Sequence, residues 1–238
     1  MSDVEHRTVL SVRGEAQRSV APDLVSIHWA VSESGDSKSS AMAAITSLIS
    51  EITAGLSGIS GEVLTPDTTR APLTWSTQSI RTDREYAHDA VTGEHGPTGR
   101  HRALANGVAI VRDFALLDGV EAVLTRRDTT DIQAVQWGVD HDNPAWALVR
   151  ADAIEAALLK GRDYASALHG SVVSVDHIAD AGLLAGDTPI SGKLSHHAIS
   201  LGLAANGGGG TSMDPVPQTV AAIIEARLTA VIAPLTTS

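Results

Sequence analysis

Ten histidines, 28 acidic side chains and no cysteine set the chemistry open to this 238-residue chain. Without cysteine there is no disulfide scaffold, thiolate-ligated zinc, iron–sulfur cluster or thiol nucleophile. His88, His95 and His101 share one polar segment with Asp83, Glu85, Asp89 and Glu94. Imidazole and carboxylate together suit Zn²⁺ or Ni²⁺. No HxH or HExxH spacing fixes their geometry, so the segment reads first as a solvated loop. His196 and His197 stand beside Ser195 and Ser200, which raises a Ser–His nucleophile pair. No GxSxG elbow is present to hold a serine for attack, and adjacent histidines usually point apart. Asp140, His141 and Asp142 form a third cluster, fit for acid–base work or a metal. It precedes a helix start, where carboxylates are favoured by the positive end of the helix dipole. The run GDTPISGKL at 186–194 approaches a phosphate-binding loop. That motif needs four residues between its glycines and Ser or Thr after the lysine; here five intervene and Leu194 follows Lys193. The residues therefore assign no catalytic, cofactor-binding or metal-ligating position.

Composition narrows the partners. The net charge is −11, from 17 basic and 28 acidic residues, whereas a phosphate backbone is held by clustered Lys and Arg. With four Trp, two Tyr and one Phe, the chain is also poor in stacking platforms for bases, so nucleic acid is not an expected partner. The start, MSDVEHRTVL, is acidic and no apolar run follows it, unlike an export signal. The longest apolar stretches are broken by charge, as at Glu225 and Arg227, so no membrane span is expected. The expected location is cytoplasmic. Arg far outnumbers Lys and Ala is abundant, a composition of GC-rich bacterial genomes.

The elements that must position these groups follow from periodicity. Residues 9–15 and 24–31 read as two strands, joined in antiparallel fashion at the turn Ala21-Pro22-Asp23. Asp36 or Ser37 caps a helix whose apolar stripe is Met42, Ile45, Leu48, Ile49, Ile52 and Leu56, with Gly58 as its stop. Residues 63–82 read as a strand, 83–99 as an exposed loop or hairpin tip, and 101–111 as a strand. Asp113 caps a short helix with Leu117, Val120, Val123 and Leu124, and 132–139 is a further strand. Asn143-Pro144 starts a long helix to about Leu168, since Asn caps and Pro needs no N–H there. Its expected buried stripe is Ala147, Ala151, Ile154, Leu158, Gly161, Ala165 and Leu168. After a strand at 172–178 comes a long Gly- and Pro-rich loop at 179–218. The last strand, 219–231, places Val220, Ala222, Ile224, Ala226, Leu228 and Ala230 on one face. A terminal strand of this kind is expected at a sheet edge. Trp29, Trp75, Trp137 and Trp146 read as core or interface residues. Interspersed helices and strands give an α+β fold, with amphipathic helices on a mostly antiparallel or mixed sheet.

The order of motifs resembles the SIMPL-domain family. VLSVRGEAQRSVAPDLVSIHWAVSESG at 9–35 is similar to that family's opening strand, turn and second strand. GRHRALANGVAIVRDF at 99–114, the Ala-rich helix at 143–170 and PQTVAAIIEARLTAVI at 217–232 follow in the same order. The resemblance covers 8–232, read as one domain. It implies a bacterial protein that tends to self-associate, with no agreed enzymatic activity or cofactor and with links to stress tolerance in some members. Many members are exported, from which the acidic start departs. Gly14, Pro22, Asp23 and Asn106 read as turn and packing positions.

The expectation is a non-enzymatic, SIMPL-like homo-oligomer that binds a protein partner through its surface. One alternative is a hydrolase or metal-dependent enzyme using histidines of the 83–101 and 186–217 loops. Another is a small-ligand-binding module with the Gly-rich loop as a lid.

Overall fold

The structure is a computed structural model that describes residues 6–88, 95–184 and 213–234 of the chain. The fold is α+β and its described part divides into two compact units. One comprises residues 6–21, 139–184 and 217–234, the other 22–88, 95–138 and 213–216.

The first unit is a three-stranded antiparallel sheet with one helix on it. Its strands are β1 (His6–Val20), β7 (Ser171–Asp180) and β8 (Gln218–Ile232), in the order β1-β8-β7. The last strand is therefore central, not at an edge. It pairs with β1 from His6↔Ile232 to Val20↔Gln218 and with β7 on its other side. A strand buried on one face along its whole length gains most in the middle of a sheet, where both rows of backbone groups are paired. Its inward face is as expected: Val220, Ile224, Ala226, Leu228 and Ala230 are buried.

Helix α3 (Ala145–Ala167) crosses that face. Asn143 Oδ1 accepts the Ala145 N–H at 2.7 Å, so Asn143 closes the helix start as its side chain predicts. The packed stripe differs from the expected one. Ala145, Val149, Ala153, Ala157, Gly161 and Ala165 are buried, while Ala147 and Ala151 are exposed. The reason lies on β1. A Cβ at Gly14 would stand 1.9 Å from the Ala153 carbonyl oxygen and 2.4 Å from the Ala157 nitrogen. The helix backbone lies directly on this glycine, and only its row of smallest residues, repeated every four, can approach so closely.

The second unit has a five-stranded sheet in the order β3-β4-β5-β2-β6. These strands are β2 (Leu24–Gly35), β3 (Gly61–Val63), β4 (Leu73–His88), β5 (His95–Val111) and β6 (Thr130–Gly138). Helices α1 (Lys38–Gly58) and α2 (Leu117–Leu124) complete the unit. The turn at Pro22 does not join a hairpin. β1 pairs with β8, and β2 pairs with β5 and β6. Turn chemistry specifies a local change of direction; which edges then meet is settled by the apolar faces available. The stretch 63–82 is divided, with β3 ending at Val63 and β4 beginning at Leu73. Most of 83–99 is not loop: β4 and β5 pair as far as His88↔His95. Polarity there marks an exposed ladder, since backbone hydrogen bonds do not require apolar side chains.

Ser37 caps α1 through a capping box with Ser40. Ala41, Ile45, Leu48, Ile52 and Leu56 are buried in one cluster with Val25, Ile27 and Trp29 of β2. Trp29 lies over Gly107, where a Cβ would come 2.2 Å from the ring. The chain leaves the helix at Ile59 and Ser60, the latter at φ 68°, so Ser60 and not Gly58 takes the left-handed position. By length and composition α1 could cross a membrane; core helices pass the same test, and its stripe is buried against β2. Asp113 caps the short 3-10 turn that leads into α2, accepting from Ala115 N at 3.1 Å.

Candidate functional site

The sequence-predicted groups come together only in part. His88 and His95 are register partners at the outer end of the β4–β5 ladder. His101 stands opposite Arg84, four residues from His88 along β4, or about 13 Å at the rise of a strand. The three positions do not converge on one ion. Asp83 lies 3.6 Å from Arg81, and Glu85 lies 3.8 Å from Arg100. Asp89 and Glu94 lie outside the described residues, as do Ser195, His196, His197, Ser200 and the GDTPISGKL run.

Asp140, His141 and Asp142 do converge: one ligand atom from each lies within 4.8 Å of the others. They occupy the turn before α3. The Asp140 carbonyl accepts from Trp146 Nε1 at 2.8 Å and from the Asn143 N–H at 3.0 Å. Two carboxylates and an imidazole could ligate a divalent ion. The positive end of α3 acts against a cation here and favours the bare carboxylates. The cluster is best explained as charge compensation at a helix start.

A second ionisable group lies on the face of the three-stranded sheet away from α3. Arg13 and Glu225 are cross-strand partners, and their side chains meet at 2.9 Å. Arg227 donates to the Leu184 carbonyl at 2.7 Å, and the Leu184 N–H reaches Glu225 at 3.4 Å. Beside them is an open cavity of about 270 Å³, lined by Ser11, Arg13, Leu184, Glu225 and Arg227. The hydrogen bond from Arg13 holds the Glu225 carboxyl below its ordinary pKa. A carboxylate ionised and engaged in this way is a clamp on the chain leaving β7, not a proton donor for catalysis.

The feature that sequence reasoning missed is the edge strand β7. Among the described residues β8 is its only neighbour in the sheet. Val173 is 52% exposed, Val175 45% and Ile178 48%. Pairing with β8 is interrupted between Val172 and Ser174 and again between Val175 and His177. Each interruption is a bulge that sets two residues of one strand against one of the other. The second bulge, though not the edge, had a signal in VVSVDHI, where two polar residues in succession, Asp176 and His177, break the alternation. Asp176 accepts from Thr229 Oγ1 at 2.6 Å and from Ser174 Oγ at 2.9 Å, and these bonds lower its pKa.

The positions carried by the resemblance are structural. Gly14 seats α3. Pro22 is buried, and the Asp23 N–H donates to the Gly138 carbonyl at 2.9 Å. Asn106 accepts from Ser79 Oγ beside a bulge between β4 and β5.

Among solved structures, the chain is similar to an amidase of the hydantoinase/carbamoylase family from Burkholderia phymatum. The identity is 11% and the TM-score 0.25, over 53% of this chain and 30% of that one. The chain thus spans less than a third of the amidase, and so low a score carries no argument about fold or activity. The comparison with curated proteins gives no match. The strand over Gly14, the turn at Pro22, the strand through Asn106 and the closing strand β8 keep their expected order across both units. The family model for SIMPL, a protein of unknown function (DUF541), matches this same stretch, residues 10–228, and the chain belongs to that family.

Proposed function

We propose that this chain works by association: it binds copies of itself, and a protein partner through the surface so formed, without bond chemistry of its own. The observation that carries this reading is the edge of β7, where Val173, Val175 and Ile178 are all about half exposed. An apolar edge strand offers unpaired backbone groups together with side chains that gain by leaving water. This replaces the closing strand as the expected contact, because β8 is paired on both sides. The paired state of Glu225 and the placement of the Asp140 cluster agree with a binding role. Links to stress tolerance come from the family resemblance alone.

Light scattering over a wide concentration range tests the reading. A mass that rises above the 24.7 kDa of one chain is expected. Replacing Val175 and Ile178 together by Lys should return it to one chain while the far-ultraviolet spectrum stays unchanged. A single-chain mass at every concentration overturns the self-association, and uptake of one divalent ion per chain would then favour the metal-dependent alternative.

A further inference from the structure

The second bulge, at Asp176, gives β7 a face pattern that reads the same in both directions. Val175 stands opposite Leu228 and Ile178 opposite Ala226, and both partners are buried on the α3 side of the sheet. Ser174 stands opposite Thr229, His177 opposite Arg227 and Ala179 opposite Glu225, which belong to the other face. Asp176, the extra residue of the second bulge, bonds Thr229 and so lies on that other face too. From Ser174 to Ala179 the faces run outer, inner, outer, outer, inner, outer. A regular strand alternates and cannot have this symmetry over six residues. The chemistry is symmetric as well: small, β-branched apolar, ionisable, ionisable, β-branched apolar, small.

We propose that the occupant of the β7 edge is the β7 of a second copy, lying antiparallel about a two-fold axis between Asp176 and His177. This deepens the proposed function and rests on its self-association. Residues directly opposite in an antiparallel pair point to the same face. The axis therefore sets each Asp176 against the second copy's His177, each Val175 against Ile178, and each Ser174 against Ala179. All six positions match in face, charge is opposed by charge of the other sign when His177 is protonated, and β-branched side chains meet. A shift of one residue puts apolar side chains against the outer face and loses the match. Closed two-fold association is the commonest symmetry for identical chains. Six residues a side make a contact smaller than the roughly 1,200 Å² of stable interfaces, so the dimer should dissociate on dilution.

The absence of native cysteine allows a clean test. Val175→Cys and Ile178→Cys are made as separate variants of the full chain with tags of different size, and are oxidised alone and mixed. A disulfide is expected in the mixture only, joining the two sizes. Like positions would be three residues apart, about 10 Å, beyond the roughly 4.5 Å that Cβ atoms of a disulfide allow. Both sites are exposed, so the fold should tolerate them. His177→Asp, which sets like charges across the axis, should weaken the dimer several-fold in dilution experiments. Cross-linking of either variant alone, association without cross-linking in the mixture, or an unchanged affinity in His177→Asp overturns the β7 pairing and leaves the association reading in place. A single chain at every concentration overturns both.

Discussion

Helices α1 and α3 each lie on a sheet, but they use different material. Under α1 the contact is made by Ile45, Leu48, Ile52 and Leu56 against Val25, Ile27 and Trp29. Under α3 it is made by Ala145, Val149, Ala153, Ala157, Gly161 and Ala165 against β1 and β8. The first contact gains from the amount of apolar surface it removes from water. The second gains from closeness, because the helix backbone lies on Gly14 with no side chain between. Large side chains make a contact that fails when atoms are removed. A contact between small residues fails when atoms are added.

Truncation should therefore hurt most under α1. Ile45 is fully buried, and Ile45→Ala should cost about 2–5 kcal/mol in chemical denaturation, from lost transfer energy and the cavity left behind. A loss under 1 kcal/mol would mean that the cluster collapses to fill the space.

Enlargement should hurt under α3, by a smaller amount. Gly14→Ala should cost about 1–3 kcal/mol through overpacking, because its new Cβ would meet the Ala153 carbonyl and the Ala157 backbone. Ala151→Leu, on the exposed side of the same helix, should change stability by no more than about 0.5 kcal/mol. Equal effects at the two positions would show that the helix is rotated from the face described.

The smallest expected difference concerns acid. In the first unit the bidentate hydrogen bonds from Arg18 lower the Asp152 pKa, those from Thr229 and Ser174 lower that of Asp176, and that from Arg13 lowers that of Glu225. A carboxyl with a lowered folded pKa stabilises the fold above its unfolded pKa of about 4. That contribution is lost as the pH falls through the lowered folded value. Amide exchange in α3 should accordingly rise before that in α1 as the solution is acidified below pH 4. Most of these groups are exposed, so the effect is modest and screened by salt. Simultaneous loss of protection in both helices would remove this distinction.

The same contrast explains which elements were legible. The stripe of α1 could be read because large apolar residues alternate with Ser, Thr and Glu. In α3 alanine occupies the buried row and the exposed one alike, so hydropathy alone does not choose between Ala151 and Ala153. The choice needs Gly14, 139 residues earlier in the chain than Ala153. At the candidate site, Asp140, His141 and Asp142 are neighbours in sequence and could be found as a cluster. The edge at β7 could not, because an edge is defined by which strands are missing beside it.

What the sequence by itself determined was local: the caps at Ser37, Asp113 and Asn143, the turn at Pro22, the inward face of β8 and the order of motifs that marks the family. Each depends on residues within a few positions of one another, where side-chain hydrogen bonds and period-two or period-3.6 patterns act directly. Only the tertiary structure decided that β8 lies between β1 and β7, that β1 and β2 do not pair, and that the bulge at Asp176 turns Val175 and Ile178 to one face. These outcomes depend on register between distant strands. Backbone hydrogen bonds are nearly indifferent to side-chain type, so a ladder is chosen by the whole set of faces it buries and not by any one segment.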